Sequence, residues 1–211
     1  GKNSKLINSF AINLGSSGGA KLRQGDKRTP EGIYLVQNRW NNSRSKKFGK
    51  RIIELDYPNP IDQMNGATGS DILIHGVGKS HELGKNMTKG CLSVRHKHMQ
   101  ELMKHLGPNQ GFIVIADDMR KVNDHKQVRE LMQVARRKGE NTHVLYHPKY
   151  SVVLRQNQTS PGHTLTYWQK RNDSWQRIYE KFDFGYRVIG QRHVFCAIRK
   201  YDAGRYAEND G

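Results

Sequence analysis

Residues 71–101, DILIHGVGKSHELGKNMTKGCLSVRHKHMQE, constrain this chain more than any other stretch. They open on an apolar run, Ile72-Leu73-Ile74, that reads as a strand and ends on His75-Gly76. A polar, glycine-rich loop follows and closes on Thr88-Lys89-Gly90-Cys91. The pattern after Cys91 reads as a helix. A fold that holds this stretch must bring a strand end and a cysteine turn together across a long loop. A cysteine between glycine and an apolar residue is the main nucleophile candidate, because thiolate is reactive and needs a base or a positive surrounding. His75 supplies such a base once the loop folds back.

Around that stretch the chain has 211 residues, room for one large domain or a domain with a small appendage. Its formal charge of +17 and pI near 10.0 suit polyanions: nucleic acid, an anionic membrane surface or an acidic wall polymer. The basic residues are scattered, with no zinc-finger spacing, helix-turn-helix pattern or aromatic RNA-binding signature, so nucleic acid is not the expected partner. A solvated basic exterior would look the same. Cys91 and Cys196 are the only cysteines, too few for a disulfide framework. No apolar run is long enough to span a membrane and no signal segment is present. Gly1 does not look like a natural start, so the chain reads as a mature or trimmed form.

Strands are expected over residues 5–14, 33–36, 51–55, 72–74, 112–116, 144–146, 151–154, 164–168, 175–179 and 193–198. Residues 164–168 and 175–179 should form a hairpin around Asn172-Asp173. Met99, Leu102, Met103 and Leu106 fall at helical spacing and should face a core, with Gly107-Pro108 ending that helix. A second amphipathic helix is expected over 124–138, and residues 40–50 and 61–69 read as loops. The character of the sequence changes near Gly139.

His75-Gly76, the long spacer and Thr88-x-Gly90-Cys91 resemble the signature of the L,D-transpeptidase (YkuD-type) family of cell-wall enzymes. Gly25-Asp26-Lys27-Arg28-Thr29-Pro30-Glu31-Gly32-Ile33-Tyr34 is similar to a second block of that family, and Tyr57-Pro58-Asn59 to a third. The resemblance implies an α+β fold, mainly β with flanking helices: a sandwich-like catalytic domain over residues 1–138 and a β-rich extension over 139–211. It implies Cys91 as nucleophile, His75 as general base and the Gly76 carbonyl as the group that orients the imidazole. Backbone N–H groups of Cys91, Gly90 and Lys89 would form the oxyanion hole, and the expected helix N-terminus would lower the thiol pKa. Tyr57, Thr88, Ser93 and Arg95 would contact substrate. No metal or cofactor is implied; His81, His96, His98 and His105 form no convincing zinc set. Gly90 suits a sharp turn that only glycine takes cheaply.

One departure matters. Many family members carry arginine two residues after the cysteine, where this chain has Ser93, with Arg95 the nearest arginine. Serine cannot offer a carboxylate the bidentate fork of arginine. The resemblance is therefore closer to the branch that trims stem peptides than to cross-linkers.

The implied activity is attack on the L,D-peptide bond of peptidoglycan tetrapeptide stems through a thioester, resolved by an amine or by water, in the periplasm or cell envelope. Anionic envelope polymers are further expected partners. The alternatives are an enzyme that acts only as an L,D-carboxypeptidase and a non-catalytic basic wall-binding module. Family members often begin with a hairpin before the segment that corresponds here to residues 5–14, and its first strand is expected to be missing. The residues beyond 146 are therefore expected to pack on the catalytic domain and to complete or cap its sheet.

Overall fold

Hydrophobic periodicity sets the layers. Alternation along β1 (Gly32–Trp40) buries Tyr34 and Val36 on one side and Ile33 and Leu35 on the other, so this strand needs cover on both faces. The chain continues through β2 (Ile52–Leu55), α1 (Pro60–Met64), β3 (Leu73–Val77), β4 (Leu92–Arg95), α2 (His96–His105) and β5 (Phe112–Ala116). After α3 (His125–Ala135) come β6 (Thr142–Tyr146), β7 (Ser151–Gln156), β8 (His163–Arg171), β9 (Ser174–Phe184) and β10 (Phe195–Arg199). This computed structural model describes residues 6–45, 47–79, 81–85, 87–158, 162–186 and 195–199.

The first sheet has the order β10-β5-β1-β2-β3-β4, the second β6-β7-β8-β9. In the first, β3 and β4 run parallel, as do β5 and β10; the other neighbours are antiparallel. One face packs Ile53, Ile74, Leu92, Val94 and Ile113 against Met99, Leu102 and Met103 of α2. The opposite face, at the β1–β5 end, packs Ile33, Leu35, Phe112 and Val114 against Val152, Leu154, Leu165 and Tyr167 of the second sheet. The outer side of the second sheet receives Leu131 and Ala135 of α3 against Val153. The layers are thus α2, first sheet, second sheet, α3.

A buried polar seam joins the two sheets. The Tyr150 hydroxyl donates to the Ile33 carbonyl (2.7 Å) and accepts from the Ile33 N–H (2.7 Å) and from Asn59 Nδ2 (2.5 Å). Gly32 has no side chain because Tyr150 occupies that space: a Cβ there would lie 2.5 Å from the hydroxyl.

The structure corrects three expectations. Residues 6–14 form no regular strand; only Asn13 pairs, exchanging two backbone hydrogen bonds of 2.9 Å with Ser93 at the edge of β4. Residue 5 lies outside the described residues. Within 61–69, expected as a loop, Asn59 caps a short helix by accepting from the N–H groups of Ile61 and Asp62, and Asp62 completes a capping box. Cys91 does not open a helix: β4 follows it, because Leu92, Ser93 and Val94 are buried alongside β3, and α2 begins only at His96. A helix dipole therefore does not act on the thiol. The hairpin at Asn172-Asp173 is present, both residues having positive φ (47° and 57°) as a two-residue turn of this kind requires.

Candidate active site

Register positions the two reactive groups. β3 and β4 pair in parallel, with Ile74 opposite Leu92 and His75 opposite Ser93. Ile74, Leu92 and Val94 face the α2 core. Alternation then puts Leu73, His75, Cys91 and Ser93 on the other face, at the end of the sheet away from β5. Cys91, just ahead of β4, comes one residue before the Ile74–Leu92 pair, and His75 one residue after it.

The turn that carries Cys91 is tied from both sides. The Thr88 hydroxyl donates to the Cys91 carbonyl (2.5 Å) and accepts from the Gly90 N–H (3.1 Å). Gly90 has φ +124°, and a Cβ there would meet the Arg28 carbonyl oxygen at 2.8 Å. Thr29, in the block of residues 25–34, is fully buried; its hydroxyl donates to the Gly90 carbonyl (3.0 Å) and accepts from the Gly15 N–H (2.8 Å). Asp26 holds the loop before it, accepting from Lys21 Nζ (2.8 Å) and from the N–H groups of Leu22, Arg23 and Arg28. The threonine and aspartate of that block are thus braces of the cysteine turn.

The thiol is half-buried and donates to the Asp71 carbonyl at 3.5 Å. Burial pushes its pKa above the ordinary value, while a backbone contact at Leu73 and the Lys47 and Lys21 ammonium groups pull it down. His75 is buried under the Phe48 ring, with centroids 4.9 Å apart. Burial lowers its pKa; the Gly76 carbonyl opposes that shift, and Lys47, His81 and His96 add to it. Nδ1 of His75 has no hydrogen-bond partner of ordinary geometry. Both groups therefore favour their neutral forms.

The other expected site residues divide. Ser93 lies on the face of His75 but is buried, with its backbone bound to Asn13. Arg95 points its guanidinium into the loop after β3, where Nη1 donates to the Gly78 carbonyl (2.6 Å) and to the His81 carbonyl. Lys89 is exposed beside the turn. Tyr57 does not join the group: its ring is in the core beside Tyr34, and its hydroxyl donates to the Thr68 carbonyl. His98 stacks on Phe10 and His105 pairs with Glu101. Among the described residues no three or more such side chains converge on a metal-sized site, and no described helix is long and apolar enough to cross a membrane.

Sequence reading missed Asn13, Thr29 and Phe48. Buried Asn13 fastens the loop that follows β3: Nδ2 donates to the Glu82 carbonyl (2.7 Å) and Oδ1 accepts from the Lys85 N–H (3.1 Å). Nothing in a sequence marks an asparagine for such a role. For Thr29, the short threonine-proline step inside a motif block was the available signal.

This two-sheet α+β architecture recurs in solved structures. Bd1075 of Bdellovibrio bacteriovorus superposes with a TM-score of 0.60 at 19% identity, over 86% of this chain and 84% of that one. The K307A mutant of the helical cell shape determining protein Pgp2 from Campylobacter jejuni gives 0.51 at 15% identity, over 81% and 79%. At such identity the likeness is one of fold. The sequence profile of the L,D-transpeptidase catalytic domain (YkuD) matches residues 2–185, and the chain belongs to that family. YafK of Escherichia coli K12, whose name assigns it to the L,D-transpeptidases, is 36% identical over 105 residues. That alignment covers 49% of this chain and 39% of YafK, so the likeness spans well under half of the relative.

Proposed function

We propose that the chain is a peptidoglycan-modifying cysteine enzyme of the cell envelope. The observation that supports this reading is the β3–β4 register, with His75 in β3 and Cys91 immediately before the neighbouring β4. Cys91 Sγ attacks the carbonyl joining the third and fourth residues of a tetrapeptide stem. His75 takes the thiol proton and returns it to the amine of the departing D-residue, leaving a thioester. We assign the oxyanion to the N–H groups of Cys91 and Lys89, since that of Gly90 already donates to Thr88.

Water, in this reading, resolves the thioester more often than an amine does. Ser93 carries no guanidinium, and Arg95 Nη1 is committed to the loop carbonyls of Gly78 and His81. The carboxylate of an amine-bearing acceptor stem then lacks its arginine fork. The basic surface, at +17 overall, serves to hold the enzyme on anionic envelope polymers.

Incubation with purified muropeptides followed by mass analysis tests the reading. Tripeptide in excess of 3-3 cross-linked dimers is expected; mostly dimers would overturn the hydrolytic preference. An intact-mass adduct on Cys91 with a carbapenem is expected as well. Absence of both turnover and adduct would favour a wall-binding module without catalysis.

A further inference from the structure

On its β4 side the Gly76 peptide is held by pairing, Gly76 opposite Val94 and Val77 opposite Arg95. Pairing with β2 reaches His75, opposite Ile52, and goes no further, so on that side Gly76 lies past the end of the ladder. Glycine has no side chain to settle its own peptide. The space a side chain would fill is taken by His96, the first residue of α2. A Cβ on Gly76 would lie 2.3 Å from Nδ1 of His96 and 3.1 Å from its Cε1. On another side of the ring stands Gly49, at φ +76°, where a Cβ would lie 3.0 Å from Cε1 of His96 and 3.7 Å from the Gly76 carbonyl oxygen. Two glycines thus flank one side of an imidazole whose residue is otherwise exposed, and Phe48, next to Gly49, lies against the His75 ring. The backbone leading into His96 is fixed by Arg95 through the carbonyls of Gly78 and His81.

We propose that His96 is a positioning residue: its ring, seated between Gly49 and Gly76, holds the Gly76 peptide so that its carbonyl takes up the proton on Nδ1 of His75. That bond would fill the one vacancy at His75, whose buried Nδ1 lacks a partner of ordinary geometry. It would also fix the tautomer, leaving Nε2 bare for the thiol proton. The inference rests on His75 being the general base.

The test reads His75 directly. In full-length protein labelled with 15N-histidine, long-range 1H–15N spectra report each ring's tautomer and titration, with His75 assigned by its loss in His75→Gln. The wild type is expected to carry the His75 proton on Nδ1. In His96→Ala and His96→Asn the His75 tautomers should mix; Lys47 and His81, which also act on His75, are unchanged, and since loss of the His96 charge by itself moves the titration midpoint, the tautomer is the deciding readout. Acylation of Cys91 should slow by roughly ten- to a hundredfold, the scale of a small misplacement. His96→Phe, which refills the space beside the two glycines, should restore most of both. Gly76→Ala should harm the wild type far more than the His96→Ala background, where its methyl meets less. An unchanged His75 tautomer in either folded ring-deleting variant would overturn the inference. If His75→Gln leaves acylation unaltered, the general-base reading fails instead, and the tautomer comparison still decides the role of His96.

Discussion

Cys91 differs from a thiol activated by an ion pair. Burial raises the Cys91 pKa and lowers that of His75, so at neutral pH the resting pair is an uncharged thiol and an uncharged imidazole. Deprotonation must then accompany attack, with His75 accepting the proton. The sign of the pH dependence follows. His75 works when neutral, and its folded pKa lies below 6.5, so acylation should fall only as pH drops below that value. In His75→Gln that acid limb should vanish, and acylation should slow by about two to four orders of magnitude near neutrality. What remains should track thiol ionisation, climbing with pH until it levels off at the thiol pKa, above 9. Single-turnover acylation followed across pH measures both; a mutant within a few-fold of wild type would point to another base, His81 first. Cys196 provides the control. It lies in β10 against the α2 core, and burial pushes its thiol up to about 12. Cys91→Ala should abolish turnover and Cys196→Ala should leave it nearly intact; equal loss in two folded mutants would refute the assignment.

Among the elements, the cysteine turn depends on distant partners more than on its own residues. Thr29 and Arg28, from the segment leading into β1, close over Gly90, which only glycine can occupy at φ +124° beneath the Arg28 carbonyl. Gly90→Ala should therefore cost about 1–3 kcal/mol from the backbone strain, besides the clash with that carbonyl. It should also cut the acylation rate while far-ultraviolet circular dichroism stays native. An unperturbed melting temperature and rate would mean that the turn relaxes freely. The same elements show what was legible in the sequence. The cores of β3, β5 and α3 follow from periodicity, because each buries an apolar face of sufficient length. His75 and Cys91 were recognisable from their joint motif, but their proximity was not, since it depends on a parallel register that no local pattern encodes. β4 reads as helix in the sequence because Leu92–Arg95 is short and runs straight into α2. Residues 6–14 look like a strand, and Phe10, Ile12 and Leu14 do turn to the α2 core, yet Leu6 and Ile7 are exposed and the segment meets β4 only through an isolated bridge at Ser93.

At the scale of the molecule, the question is whether the second sheet is a partner of the first or part of it. The sequence changes character near residue 139, while the family match runs on to 185. β10 lies along β5 in parallel, adding a strand to the first sheet from the far end of the described chain. The face of that sheet carrying Ile33, Leu35, Phe112 and Val114 is buried only because Val152, Leu154, Leu165 and Tyr167 stand opposite. Without the tail these side chains meet water. At about 1.5–3 kcal/mol per fully buried apolar side chain, such a face is comparable to the 5–15 kcal/mol by which domains are stable. The N–H and carbonyl of Ile33 would also lose the Tyr150 hydroxyl, and β5 would become an open edge. We therefore expect the boundary near 138 to mark a change of sheet, not the end of a unit that folds alone. A fragment of residues 1–138 should aggregate, or melt well below the intact chain without a cooperative transition, and should fail to form the Cys91 adduct. Tyr150→Phe in the intact chain should give a milder loss, about 1–3 kcal/mol for buried groups left unpaired. Differential scanning calorimetry of the three proteins decides the matter: a 1–138 fragment that is soluble and melts cooperatively near the temperature of the intact chain would make the tail an independent appendage.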